Sequence, residues 1–397
     1  MTTSRTHTNL SGAPVDTSRA TLRGAAVLIP LIVAVGCQDT AAPDMRQSLS
    51  AKVAASTQPR VDSLLADALR RHGLPGMVAA VIRDGGIVAQ GAAGIRHVGF
   101  PDAITVVDRF HLGSNVKAMT STMIATLVEE GTLQWTSTPA SVFPELAAWM
   151  NPELANATLE RILQHRSGLP GFTDETELAG VPPLEGTAVE QRRAFAAYVL
   201  QRPPAVPPGS YLYSNAGYVI AGAMAERVTG TSWEELMEAR VFGPLGMSVS
   251  RGWPAATDPA QPWGHFLGDG AYVPLDPAGE FQLPEILGPA GDITMSLQEY
   301  AKFVRLNLRA LRGHPQLVSA AGFTKLFTPN GDYALGWQVG GIGDAPFVAH
   351  EGSAGVFVAL VLIFPTRNIA VAVFVNAGGE DASRAAVEVG FNLAGVN

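Results

Sequence analysis

The spacing of apolar positions changes several times along the chain, and each change marks an element. Between Arg60 and Arg71 they fall at Val61, Leu64, Leu65, Ala68 and Leu69, the period of a helix with one buried face, and His72-Gly73-Leu74-Pro75-Gly76 ends it. The period then shortens. Met77 to Ile82 and Ile87 to Ala92 are short apolar runs separated by Arg83-Asp84-Gly85-Gly86, which predicts two strands joined as a hairpin. The pattern returns at the other end: Phe347 to Ala349, Val356 to Phe364 and Ile369 to Asn376 read as strands, with Pro365-Thr366-Arg367-Asn368 turning between the last two. A closing helix is expected over Asp381 to Leu393. Between the ends lie helical patterns and two stretches read as Pro/Gly-rich loops, 139–210 and 252–290, with no internal repeat.

Strands at both ends with helices between them predict an α+β fold, an antiparallel sheet built from both chain ends, flanked by helices and carrying an inserted helical lobe. The expected domain spans 58–397, with an α/β lobe at about 58–135 and 290–397 and a helical lobe at about 136–289. A cleft between the lobes is the natural place for a site.

The amino-terminal segment has a different character. Arg19 and Arg23 precede an apolar run from Gly24 to Gly36, followed by the single cysteine, Cys37. The run is short of the roughly 20 residues a spanning helix needs, and Pro30 interrupts it, so residues 1–37 read as an export signal. Ala34-Val35-Gly36-Cys37 resembles a bacterial lipobox, with Ala34 where leucine is usual, and the resemblance implies lipidation of Cys37. Residues 38–57 are mostly small and polar, which suits a flexible tether. An exported protein, periplasmic or at the cell surface and lipid-anchored to the membrane, is the expectation.

Composition narrows the function. With 47% hydrophobic and 16% charged residues over 397 positions, the chain can bury a large core. Its net charge of -8 is spread out and no run of Lys or Arg occurs, which excludes the electrostatic footprint of a nucleic-acid binder. One cysteine allows neither an internal disulfide nor a thiolate cluster. The 8 histidines lack metal-ligand spacing, so neither metal nor cofactor is expected. No Gly-x-Ser-x-Gly elbow is present, which argues against an α/β-hydrolase.

Candidate chemistry begins at Ser114, at the start of a helical pattern with Val116, Met119, Met123, Ile124, Leu127 and Val128 on one face and Gly131 past its end. Lys117 follows at i+3, close enough for its ammonium nitrogen to reach the hydroxyl. Taken alone, this tetrapeptide reads as an N-cap serine and a surface lysine. Two further groups alter that reading. Pro207-Pro208-Gly209-Ser210-Tyr211-Leu212-Tyr213-Ser214-Asn215 is a tight turn before a helix at Ala216 to Val228; its tyrosine and amide suit a proton shuttle and a substrate clamp, or equally a buried tyrosine and a helix cap. His350-Glu351-Gly352-Ser353 lies where one predicted strand ends and another begins, and its glycine would let a substrate backbone approach.

In that order, Ser114-Asn115-Val116-Lys117, Tyr213-Ser214-Asn215 and His350-Glu351-Gly352 resemble the three active-site motifs of the serine β-lactamase and penicillin-binding-protein superfamily, specifically its class C-like branch. Val128-Glu129-Glu130-Gly131, Leu163 to Pro170, Phe242 to Met247 and Pro289-Ala290-Gly291-Asp292 also look like phrases of that family, so the likeness covers about residues 58 to 395. The resemblance implies the β-lactamase/transpeptidase-like fold. It also implies Ser114 as nucleophile, Lys117 as its base, Tyr213 as the group that hands a proton to the leaving atom, Asn215 holding the acyl side chain, and the N–H groups of Ser114 and Ser353 as oxyanion hole. A free lysine has a pKa near 10.4, so a lysine base at neutrality needs a depression of roughly 3 units, about 4 kcal/mol.

His350 stands where β-lactamases of that branch carry lysine, and His-x-Gly is more like the carboxypeptidase and aminopeptidase members. Glu351, if it points into the cleft, would disfavour substrates with a free carboxylate. The expected activity is cleavage of an ester, an amide or a D-amino-acid peptide through an acyl-enzyme. D-Ala-D-Ala carboxypeptidase or D-aminopeptidase, β-lactamase proper, and a noncatalytic module that binds cell-wall peptides are the alternatives. His165 is expected to be structural.

Overall fold

The computed structural model describes residues 58–279 and 281–396; the signal-like segment, Cys37 and the tether lie outside the described residues. In chain order its principal elements are α1 (Gln58–His72), β1 (Gly76–Arg83), β2 (Gly86–Gly94), β3 (Arg109–His111), α2 (Val116–Glu129), α3 (Ala188–Leu200), α4 (Asn215–Thr229), β4 (His265–Leu267), β5 (Tyr272–Pro274), β6 (Thr294–Ser296), α5 (Leu297–Leu311), α6 (Ala320–Phe327), β7 (Gln338–Ile342), β8 (Ala345–Ser353), β9 (Val358–Phe364), β10 (Ile369–Val375) and α7 (Glu380–Ala394). The fold is α+β. Six strands form one antiparallel sheet in the order β2-β1-β10-β9-β8-β7, so the two chain ends do share it.

Side-chain alternation assigns the two faces. Val78, Ala80 and Ile82 of β1, with Ala359, Val361 and Ile363 of β9, join a core that includes Tyr300 and Phe303 of α5 and most of α2. Met77, Ala79 and Val81, with Leu360, Leu362, Val371 and Val373, face the opposite way onto α1 and α7. Every residue of β9 and β10 is buried, the reason these strands read as unbroken apolar runs. At about 1.5–3 kcal/mol per fully buried aliphatic side chain, this double-sided burial is the main force holding the sheet.

Three readings of the sequence change. The stretch 139–210, read as loop, contains α3, and the edge strand β7 was not predicted because Gly340 and Gly341 leave no side chains to alternate. Helix α2 has no solvent face over most of its length: Val116 to Leu127 are all buried, Thr120, Ser121 and Thr122 included. His350 to Ser353 form no turn; they are the last four residues of β8, paired with β9 from His350↔Val361 to Ser353↔Val358.

That last change explains Gly352. A β-carbon there would lie 2.1 Å from the Leu112 carbonyl oxygen and 2.7 Å from the Ser114 amide nitrogen. What meets Gly352 in the folded chain is the protein's own backbone, the single 3-10 turn Gly113–Asn115 that precedes α2. Gly113 reciprocates: its φ is +50°, and a β-carbon on it would lie 2.6 Å from the Ser353 amide nitrogen. Buried Asn115 ties the turn down. Its amide donates to Ala359 O at 2.7 Å and accepts from the Tyr300 hydroxyl at 2.9 Å, joining the turn to β9 and α5.

Gly352→Ala is expected to force the turn off β8, lowering stability by about 1–3 kcal/mol. Urea denaturation checks this, and a variant as stable as the wild type would show that the contact is looser than described.

Candidate active site

The turn before α2 leaves one side chain partly open to solvent. From Phe110 to Leu127 every residue is buried except Ser114, which is partly exposed. Ser114 does not cap the helix; the N-cap position is Asn115, and no side-chain capping bond occurs there. The Ser114 hydroxyl instead lies 2.9 Å from Lys117 Nζ. The i+3 spacing holds across the junction between the 3-10 turn and α2.

Lys117 is fully buried. Its nitrogen has two further partners, Asn215 Oδ1 at 2.7 Å and the Ala290 carbonyl oxygen at 2.7 Å. Both are neutral acceptors, and no carboxylate shares them. Burial therefore holds the amine well below its ordinary pKa. A neutral amine keeps two N–H bonds and one lone pair. With its N–H bonds directed at the two carbonyl oxygens, the deprotonated amine would turn its lone pair to the Ser114 hydroxyl, the one partner that can also donate.

Tyr213 enters from the turn before α4 and stands beside Ser114, whose hydroxyl partly offsets the effect of burial on the phenol. Burial pushes this phenol up, so it is protonated at neutral pH. Its ring lies 4.9 Å from Lys117 Nζ. Ser214 caps α4 through its hydroxyl, which accepts from Gly217 N at 3.0 Å, and this frees Asn215 from that duty. The Asn215 amide spans the cleft floor, accepting from Lys117 and donating to Phe172 O at 2.8 Å. Its observed work is to orient Lys117.

His350 projects from β8 on the same side as the Ser114 turn and is buried. Its Nδ1 faces the Glu351 carbonyl oxygen at 2.8 Å, which can only accept, so Nδ1 carries the proton. Nε2 then accepts from the Tyr333 hydroxyl at 3.0 Å. Burial lowers this imidazole to about 3, with Lys117 acting in the same direction, so the ring is neutral. Glu351 points to the far side of the sheet, where its Oε1 accepts from Ser383 of α7 at 2.8 Å. The condition for Glu351 to repel substrate carboxylates in the cleft is not met. Period-two alternation on a strand places 350 and 351 on opposite faces. Gly352 and Ser353 complete the strand end, and the close approaches already described bring the Ser114 and Ser353 amide nitrogens into one small region.

Two participants were not legible in the sequence. The Ala290 carbonyl belongs to a phrase quoted only for its family likeness, and a backbone acceptor has no residue-type signature. Tyr333 lies in a Gly/Asn/Asp-rich stretch without periodicity. His165, expected to be structural, is buried with its ring 4.3 Å from that of Tyr213, and its Nδ1 accepts from Ser214 N at 3.0 Å. It supports the Tyr213 turn. Among the described residues no cluster of His, Cys, Asp or Glu could hold a metal ion.

Known proteins share this arrangement of elements. Penicillin-binding protein 4 of Amycolatopsis lactamdurans is 28% identical over 330 residues, 79% of this chain and 84% of that protein. An unguisins hydrolase of Aspergillus violaceofuscus is 30% identical over 251 residues, 60% of this chain and 43% of the relative, so the chain spans less than half of that protein's length. Among solved structures, the octameric penicillin-binding protein homologue from Pyrococcus abyssi matches with a TM-score of 0.69 at 25% identity, covering 85% of this chain and 78% of that one. The D-alanine carboxypeptidase AmpC from Burkholderia cenocepacia shares the fold, with a TM-score of 0.66 at 20% identity over 85% of this chain and 98% of that one. Residues 61–390 match the family described as Beta-lactamase, and the chain belongs to that family.

Proposed function

We propose that the protein is a serine hydrolase that cleaves an ester or amide through an acyl-enzyme on Ser114. The observation that carries this reading is the Lys117 amine, buried without a counter-charge and 2.9 Å from the Ser114 hydroxyl. A lysine held neutral beside a serine is a base poised for one proton. In the first step Lys117 takes the Ser114 proton as Oγ bonds to the substrate carbonyl carbon. The negative oxygen that forms is met by the N–H groups of Ser114 and Ser353. Collapse breaks the bond to the leaving atom, which receives the Tyr213 proton; Tyr213 recovers one from the Lys117 ammonium. Water then hydrolyses the ester, with the same pair moving its protons.

The order of Ser114-x-x-Lys117, Tyr213-Ser214-Asn215 and His350-x-Gly352 supports the class C-like branch of the family. Substrate choice follows from His350. Its imidazole is neutral and both nitrogens are engaged, so it offers no positive charge to a carboxylate. This supports an uncharged ester or internal amide over a penicillin or a D-Ala-D-Ala peptide. The A. violaceofuscus relative, named for hydrolysis of unguisins, lends support to a peptide amide. The sequence of residues 1–37 supports export and lipid anchoring at Cys37.

Three outcomes test these readings. A fluorophosphonate should label the wild type and not Ser114→Ala; failure to label the wild type would favour a noncatalytic binding module. Parallel assays with a p-nitrophenyl ester, nitrocefin and a D-Ala-D-Ala peptide should show the ester turned over fastest.

The second concerns pH. Only unprotonated Lys117 can accept the proton, so kcat/KM should climb as pH rises through its depressed pKa and level off above it. Lys117→Arg, which cannot deprotonate, should lose about 10²–10⁴-fold. Acylation of Lys117→Ala at the wild-type rate would remove Lys117 from the mechanism.

For location, Cys37→Ser should move the expressed protein from the membrane fraction to the soluble fraction. An unchanged distribution would argue against the anchor.

A further inference from the structure

The residues that lead into the nucleophile turn contain a second polar assembly, buried behind it and absent from the steps above. His111, the last residue of β3, is buried, and its ring packs 5.1 Å from that of Trp253. Its Nδ1 lies 3.2 Å from the Gly113 amide nitrogen. A backbone N–H can only donate, so Nδ1 is the acceptor and the ring proton sits on Nε2. That Nε2 meets Asp292 Oδ1 at 3.1 Å. The carboxylate is fixed in turn: Oδ1 also accepts from Gly252 N at 2.9 Å, and the residue is buried. Burial alone would raise the Asp292 pKa, but the His111 and Gly252 bonds outweigh it, and the carboxyl stays ionised at neutral pH.

Gly113 is the point where this assembly meets the site. It has the left-handed φ of +50° that only glycine adopts freely, and it sits directly before Ser114 against the Ser353 amide. The Gly113 N–H fixes the plane of the peptide before it, and the left-handed bend passes that setting on to the Gly113–Ser114 peptide. That peptide's N–H is the one belonging to Ser114. Leu112 N, bonded to Ile293 O at 2.9 Å, anchors the other side of the same segment.

We propose that Asp292 and His111 are positioning residues: the carboxylate holds the imidazole in the tautomer whose Nδ1 accepts from Gly113, and this aims the Ser114 N–H at the oxygen of the reacting carbonyl. The proposal rests on Ser114 as nucleophile. It assigns no contact with substrate to either residue. Because the aimed N–H matters most when charge has formed on that oxygen, disturbing it lowers kcat more than it raises KM.

Two substitutions separate the bonds of His111. In His111→Asn the short amide can place an oxygen where Nδ1 stood, keeping the Gly113 acceptor and giving up Asp292. In His111→Gln the longer amide can reach Asp292 but not Gly113. With a p-nitrophenyl ester, His111→Gln should lose about 10²-fold in kcat with KM within about 3-fold, the scale of a misplacement of about 1 Å. His111→Asn should recover most of that loss. Equal losses in the two variants, or full kcat in His111→Gln, would overturn the proposal.

A measurement on the wild type stands independently of how the variants fold. ¹⁵N NMR of His111 should show Nε2 protonated and Nδ1 bare, and the reverse tautomer would overturn the assignment. Fluorophosphonate labelling of the wild type separates the two readings: without it the acyl-enzyme itself fails, whereas labelling with equal losses removes only the positioning role.

Discussion

A lysine amine is buried without a carboxylate, and much of the local structure is arranged around that fact. Lys117 could be buried at lower cost beside an aspartate, but a salt bridge would keep it charged and useless as a base. The fold instead surrounds its nitrogen with Ser114, Asn215 and the Ala290 carbonyl, which satisfy hydrogen bonds without supplying charge. These three come from the nucleophile turn, the start of α4 and the segment before β6, so the sheet-side and helical parts must dock accurately for the nitrogen to be satisfied at all. The arrangement carries a cost to folding. An unfolded lysine holds its proton to a higher pH than the folded one, so between the two pKa values the unfolded chain binds more protons, and stability rises with pH across that window.

Burial acts on the other titratable groups of the cleft in the same sense. It lowers His350, raises Tyr213 and lowers His165, and in each case the favoured form is the neutral one. Burial thus biases the site toward uncharged forms whose groups differ in which way a proton can move. On the proposed mechanism, charge separation arises only when Ser114 gives up its proton, and at that moment the surroundings suit both partners. The ammonium gains carbonyl oxygens and the face of the Tyr213 ring, while the anionic oxygen gains backbone N–H groups. Preorganised dipoles are more effective here than fixed charges would be, because they stabilise the separated state without lowering the energy of the neutral ground state as much.

Much of this was legible in the sequence, and the exceptions share a physical cause. Val358–Phe364 and Ile369–Val375 announced themselves because burial on both faces makes a strand apolar throughout. Ser114, Lys117 and Tyr213 were recoverable as a set although each alone has a bland reading. Gly352 was read as a point of close approach, but sequence cannot say by what, and in the folded chain the Gly113–Asn115 turn meets it. Glu351 shows the same limit. Its direction was left open in the sequence, and the alternation of β8 turned it to α7, a face that could be assigned only once the strand was known to continue through Ser353.

The use of β8 explains how one scaffold can serve relatives with different substrates. One end of the strand is clamped by Gly352 to the turn that carries Ser114. Position 350 lies two residues earlier on the same face and meets the cleft through a side chain. A lysine there would need its charge stabilised, but the neutral His350 is held by Tyr333 and its own strand backbone, which lets the site close over it without an ion. Gly352 and His350 thus do different work on one strand, the first seating the Ser114 turn against β8 and the second setting the charge presented beside it. On the proposed mechanism, that division would let acyl transfer on Ser114 stay fixed while the charge presented to the substrate varied with position 350.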